Sequence, residues 1–219
     1  MFIGHFAAGL LAKRAAPGAS LGTLLAAATL PDLLWVPLFV LGVEHVRIQP
    51  GITAVNALDL YDIPISHSLL MDAVWAVLLA GAYFLLRRYP RGALVVAAAV
   101  LSHWVLDFVS HRPDMPLAPG VHRYFGLGLW NSRAATFAVE GLLWAAALVV
   151  YTRATRPKTH AGVWAFWTVA TLLTLLWLLS LGGAPPPGLT AIAVSNFVIF
   201  AGVLAWAYWI DRLRPAEVR

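Results

Sequence analysis

The chain has 219 residues, 61% of them hydrophobic and 11% charged, against about 25% charged in an ordinary soluble domain. The bilayer is therefore the expected solvent, and the absence of cysteine excludes disulfides and thiolate metal sites, leaving His, Asp and Glu as the only metal ligands. The net charge of +5 predicts no nucleic-acid partner, because the basic residues cluster at the ends of apolar runs, as the positive-inside rule expects.

In chain order, residues 2–12 form an apolar stretch too short to cross, predicted as an interfacial or re-entrant helix. It lacks a charged leader and a cleavage site, so it does not read as a removable signal peptide. Six runs then have spanning length: 19–42, 66–87, 92–110, 132–152, 161–182 and 189–210. Pro31 should kink the first and free a backbone carbonyl near Asp32. The short connections "RRYPR" and "RATRPK", the tail "DRLRPAEVR" and the Lys13-Arg14 pair are basic, which puts both termini on the cytoplasmic side. Loops 43–65, 111–131 and 183–188 are then outside. The prediction is an all-α polytopic membrane protein: about six transmembrane helices plus the short N-terminal helix, in a single bundle over 1–219. Residues 1–131 form its polar half and 132–219 are mainly scaffold.

Four carboxylates fall inside the predicted spans, Asp32, Asp72, Asp107 and Glu140, whereas the only Lys or Arg within them, Arg87 and Arg133, stand at span ends. An ionised side chain at mid-bilayer costs about 2.5–3.5 kcal/mol even on a lenient scale, offset by protonation, a wet cavity or a metal ion. His103, Asp107 and His111 stand four apart, one above another on a helix face. At about 1.5 Å per residue, these groups, with Asp32, His67 and Glu140, all lie in the outer half of the membrane. His5 would rise to the level of Asp32 if the N-terminal helix inserts part-way. Imidazole and carboxylate suit zinc, and His5, Asp32, His67, His103, Asp107 and His111 carry enough donors for one to three ions. The competing reading is a polar seam of helix–helix hydrogen bonds. Asp72 and Glu140 are either structural or support the ligands from behind. His45, His122 and His160 read as solvated. Arg112 and Arg123 breach the positive-inside rule, as interfacial anchors or as groups that bind an anionic substrate. Gly126 and Gly128 in "FGLGLWNS" fit a tight turn, with a weak suggestion of a phosphate cradle.

Gly4-His5, "LPD" (30–32), "SHS" (66–68) and "SHWVLD" (102–107) occur in that order. They resemble the membrane-bound metal-dependent hydrolases of the bacterial inner membrane, the YdjM-like group, itself distantly similar to zinc-dependent phospholipase C. The resemblance covers about the first 120 residues. It implies metal-ligand roles for His5, Asp32, His67, His103 and Asp107, and a bacterial inner-membrane location. The chain departs from the family pattern at Leu34, where a second acid is usual, at Asp62, where a His is usual, and at His111, where Pro is common. Asp62 would substitute as a ligand or leave the site one metal short.

Three functions follow. The first is a metal-dependent hydrolase of a phosphoester or lipid-borne ester, opening to the outer leaflet. Asp62 or Glu140 would act as general base, and Arg112 and Arg123 would meet the headgroup. The second is a proton- or metal-coupled transporter. The third is a non-catalytic subunit whose histidines hold a pigment or haem. Its partners would be membrane lipids and a small-molecule or lipid substrate.

Overall fold

The computed structural model describes residues 1–216; the last three residues of the predicted basic tail lie outside it. It is an all-α polytopic membrane protein. Eight helices are described: α1 (Phe2–Ala15), α2 (Leu21–Ala28), α3 (Leu30–Val40), α4 (Leu69–Arg87), α5 (Pro90–Ser110), α6 (Arg133–Ala154), α7 (His160–Ser180) and α8 (Leu189–Leu213). Five of them are long and apolar enough to cross a bilayer, and α2 with α3 would make a sixth span if the bent pair crosses as one. Local chemistry sets the starts. Ser20, Ser68 and Ser132 each accept a hydrogen bond from a backbone N–H of the first turn of α2, α4 and α6, and Pro90 opens α5.

The expected first span is broken. α2 and α3 meet at 58° around Thr29, just before Pro31, which has no N–H to continue the helical ladder. Thr29 is buried and turns its hydroxyl back to the Leu25 carbonyl. α1 is fully inserted among its neighbours. Ile3, Phe6, Ala7 and Leu10 pack with Trp144, Phe166, Leu173 and Phe200 of α6, α7 and α8. A second apolar cluster joins α2 to α4 and α5 through Leu24, Ala28, Ala76, Val96 and Val100.

One end of the bundle is basic. Lys13, buried, donates to Asp211 (2.8 Å) and to the Ala19 carbonyl (2.7 Å). Arg91 donates to the Ala15 carbonyl (2.6 Å) and Arg214 to Thr155 Oγ1 (2.7 Å). At the opposite end, loop 43–65 folds into an antiparallel hairpin of β1 (His45–Ile48) and β2 (Leu58–Asp62). A second short ladder pairs β3 (Met115–Pro116) with β4 (Tyr124–Phe125). These strands cover the site end of α5.

Candidate metal centre

The helical row of α5 converges on one carboxylate. His103 and Asp107 share its buried face, and His111 sits just past its last turn with its N–H on the Asp107 carbonyl (2.7 Å). Asp107 Oδ2 lies 3.1 Å from His103 Nε2, 3.6 Å from His111 Nε2 and 3.8 Å from His67 Nε2. Its Oδ1 is 3.0 Å from His5 Nε2 and also accepts from the Met1 amino group. Asp32 Oδ1 stands 3.6 Å from His67 Nε2 and 3.8 Å from His103 Nε2. The rings of His5 and His103 stack with centroids 3.7 Å apart. All six expected ligands are thus brought together. His5, His67, His103, Asp107 and His111 are buried, while Asp32 keeps partial exposure.

What lies behind the rings decides which nitrogen faces the centre. His67 Nδ1 is 2.6 Å from Ser66 Oγ, whose hydroxyl donates to Glu44 Oε2 (2.6 Å). The Ser66 proton is therefore committed to Glu44, and His67 Nδ1 must be the donor. Glu44 is itself fixed, accepting the N–H groups of Ile65 and Ser66 at 2.7 Å each. His103 Nδ1 donates to the Ala28 carbonyl (3.0 Å), which the break after α2 leaves open. His111 Nδ1 donates to Asp114 Oδ1 (2.9 Å). With Nδ1 spent in all three, each neutral ring turns the Nε2 lone pair inward, the arrangement by which outer partners orient metal-binding histidines.

Lone pairs of imidazole and carboxylate repel unless a cation lies between them. His103 Nε2 is buried with no hydrogen-bond partner of acceptable geometry, and His5 Nδ1 likewise. A tetrahedral ion with bonds of about 2.1 Å separates its ligands by about 3.4 Å, and the observed separations of 3.0–3.8 Å bracket that value. Two triads, His5/His103/Asp107 and Asp32/His67/His103, keep their donor atoms within 4.8 Å of one another. The residues present fit a divalent metal.

Other expected residues land elsewhere. Asp62 does not reach the centre: the hairpin register sets it opposite His45, with which it makes a half-exposed pair at 2.7 Å. Arg112 is held by the carboxylates of Asp59 and Asp114 and braces the hairpin. Arg123 is exposed in the loop before β4, off the cavity wall. Glu140 does line the cavity, and its Oε2 accepts the Ile3 N–H (3.2 Å), satisfying a free donor at the start of α1. Asp72 is buried in α4 with both oxygens unpartnered. Of the groups that orient two of the rings, Ser66 belongs to the "SHS" motif, whereas Glu44 and Asp114 stand in no motif. The Asp three residues after His111 was the available clue.

The turn at 126–128 is no phosphate cradle. Leu127 N–H goes to the Phe108 carbonyl (2.8 Å) and Gly128 N–H to that of His111 (2.7 Å), closing the open end of α5. A Cβ on Gly126 would fall inside contact distance of the His111 and Arg112 carbonyl oxygens. Gly126→Ala should therefore destabilise by about 1–3 kcal/mol, seen as a lower thermal midpoint in detergent; an unchanged midpoint would mean that this strand is not seated on α5.

The centre opens into a cavity of about 880 Å³ bounded by α1, α3, the 51–58 loop, the start of α6, the end of α7 and α8. Towards the basic end the interior is filled instead by Phe6, Leu10, Leu25, Leu173 and Val203. No family model, no curated protein and no solved structure matches this chain.

Proposed function

We infer that this protein is a metal-dependent hydrolase, cleaving a phosphoester or a lipid-borne ester at the His/Asp centre. The observation that carries this is the inward turn of three Nε2 lone pairs, on His67, His103 and His111, onto the oxygens of Asp32 and Asp107. Zinc, in one to three ions, suits these donors. His5, Asp32, His67, His103, Asp107 and His111 would hold the metal, with His103 common to the two triads. When bound, the ion supplies Lewis acidity, making water acidic and drawing charge from an ester oxygen.

The chain's own groups do the rest. Glu44, Asp114 and the Ala28 carbonyl keep the Nδ1 protons in place. Glu140, the one of the two expected bases on the cavity wall, takes a proton from water and returns it to the leaving oxygen. The resemblance to the YdjM-like hydrolases supports the same reading, because the five residues it marks are among the six that converge. The bacterial inner membrane, with the basic end cytoplasmic and the centre towards the outer leaflet, follows from that resemblance and from the charge asymmetry. The apolar filling below the centre favours an enzyme over a transporter.

Elemental analysis of detergent-purified protein tests the reading. Wild type should carry about one to three equivalents of zinc, and His103→Ala should lose most of it while still inserting. No metal in wild type after zinc is added back would overturn the assignment.

A further inference from the structure

The cavity has two chemically different walls. The His/Asp centre forms one. The other comes from the end of α7, the turn after it and α8, which present no carboxylate or imidazole to the cavity: Leu176, Trp177, Leu181, Ile199 and Phe200. Between the walls stands Arg133, the first residue of α6. Its Nε donates to the Ala54 carbonyl (2.9 Å), and among the described residues no carboxylate pairs with it. Arg47 and Arg112, by contrast, are both consumed by Asp59. The indole N–H groups of Trp35 and Trp177, both on the cavity wall and both buried, have no acceptor. An exposed guanidinium with no carboxylate partner among the described residues and two idle donors beside an apolar wall define the complement of an amphipathic anion.

We propose that the cavity binds a lipid-borne phosphoester, its phosphoryl oxygens held by Arg133 and its hydrocarbon chain laid along the α7–α8 wall. This rests on the hydrolase reading for what then happens to the ester, but the binding itself does not. The cavity's size, about 880 Å³, is at the large end of the range of about 300–1,000 Å³ for small-ligand pockets, more than a phosphate headgroup needs. The apolar wall also explains the position of α7 and α8 beside a polar centre to which they contribute no ligand. The anion-binding role expected of Arg112 and Arg123 falls in this proposal to Arg133, which the sequence did not single out and which lines the cavity where they do not.

The test is photo-crosslinking of the full chain in nanodiscs with a hexadecyl phosphate carrying a diazirine near the end of its chain. Adducts should map to the cavity-lining positions Leu176, Trp177, Ile199 and Phe200. Unlabelled hexadecyl phosphate should compete, and hexadecanol and glycerol phosphate should not. Arg133→Gln should reduce cavity labelling about tenfold, the loss expected for one charge-assisted hydrogen bond, and Arg133→Lys should restore much of it. Adducts spread over lipid-facing residues such as Leu78, Leu94 and Leu142 would overturn the proposal. So would equal competition by hexadecanol, or by glycerol phosphate, which would mark a soluble phosphoester as the ligand. Wild type that takes up no zinc when it is added back, yet is still labelled in the cavity, would leave the lipid site standing and remove the hydrolase. Zinc-loaded protein labelled only on its outer surface would do the reverse.

Discussion

Asp107→Asn should leave a folded, inserted protein that holds no metal and hydrolyses nothing. Every histidine of the centre has its Nε2 within 3.8 Å of an Asp107 oxygen, so this carboxylate is the hub. The amide keeps the volume but loses the charge and turns one donor atom into an N–H pair aimed at lone pairs. One face of that amide must then oppose either His5 or the trio of His67, His103 and His111. Elemental analysis and circular dichroism on the same preparation check the outcome. A variant that retains stoichiometric zinc would place the ion away from Asp107 and undo the assignment of the α5 row.

Glu44→Gln should weaken metal binding about 10–100-fold, the usual effect of an outer partner, without touching a ligand. The argument is one of proton direction. Glu44 now accepts from Ile65 N–H, Ser66 N–H and the Ser66 hydroxyl. A glutamine can keep the two backbone bonds through its oxygen, but its NH2 group must then donate to Ser66 Oγ. The Ser66 hydroxyl turns round and donates to His67 Nδ1, so the His67 proton moves to Nε2 and blocks the lone pair that faces Asp32. Because the fold's contacts survive, a merely structural Glu44 would show no change in zinc affinity. Nitrogen NMR of the His67 ring should report the exchanged tautomer. An unchanged dissociation constant would break the link between Glu44 and the centre.

The parts of the site that lay in helices were legible because helical spacing is a strong constraint. A carboxylate four residues from a histidine in an apolar run can only stack beside it, and His103 and Asp107 do so. Asp32 and His67 stood out because polar groups inside spanning-length runs need a reason, while His5, on a stretch too short to cross, was marked by the Gly4-His5 motif and by the level it would reach if that helix inserted. Loop residues carried no such contrast. Glu44, Asp59 and Asp114 look like solvated acids until the hairpin folds over the end of α5 and buries them. Asp62 looks equivalent to them in sequence, yet the register sends it outward to His45. The arginines failed for a related reason. Arg112 was judged by its side of the membrane, whereas its role is set by two acids that only the folded loop brings near. Pro31 correctly marked the break, since a missing N–H is a local fact. That the freed carbonyl on Ala28 would hold the His103 ring needed the tertiary packing of α5 against α2.

The position of α1 has a consequence for biogenesis. It is the first of these helices to leave the ribosome, yet it lies inside the bundle, walled by α2, α5, α6 and α7 and pinned at its far end by Asp211 of α8. It can take its final place only after the last span has been made. Its early-synthesised His5 must therefore wait for partners more than a hundred residues downstream, a closure that chain topology makes slow. Closure of the His5–His103–Asp107 cluster then becomes a late event of assembly, so that a half-built bundle lacks this part of the centre.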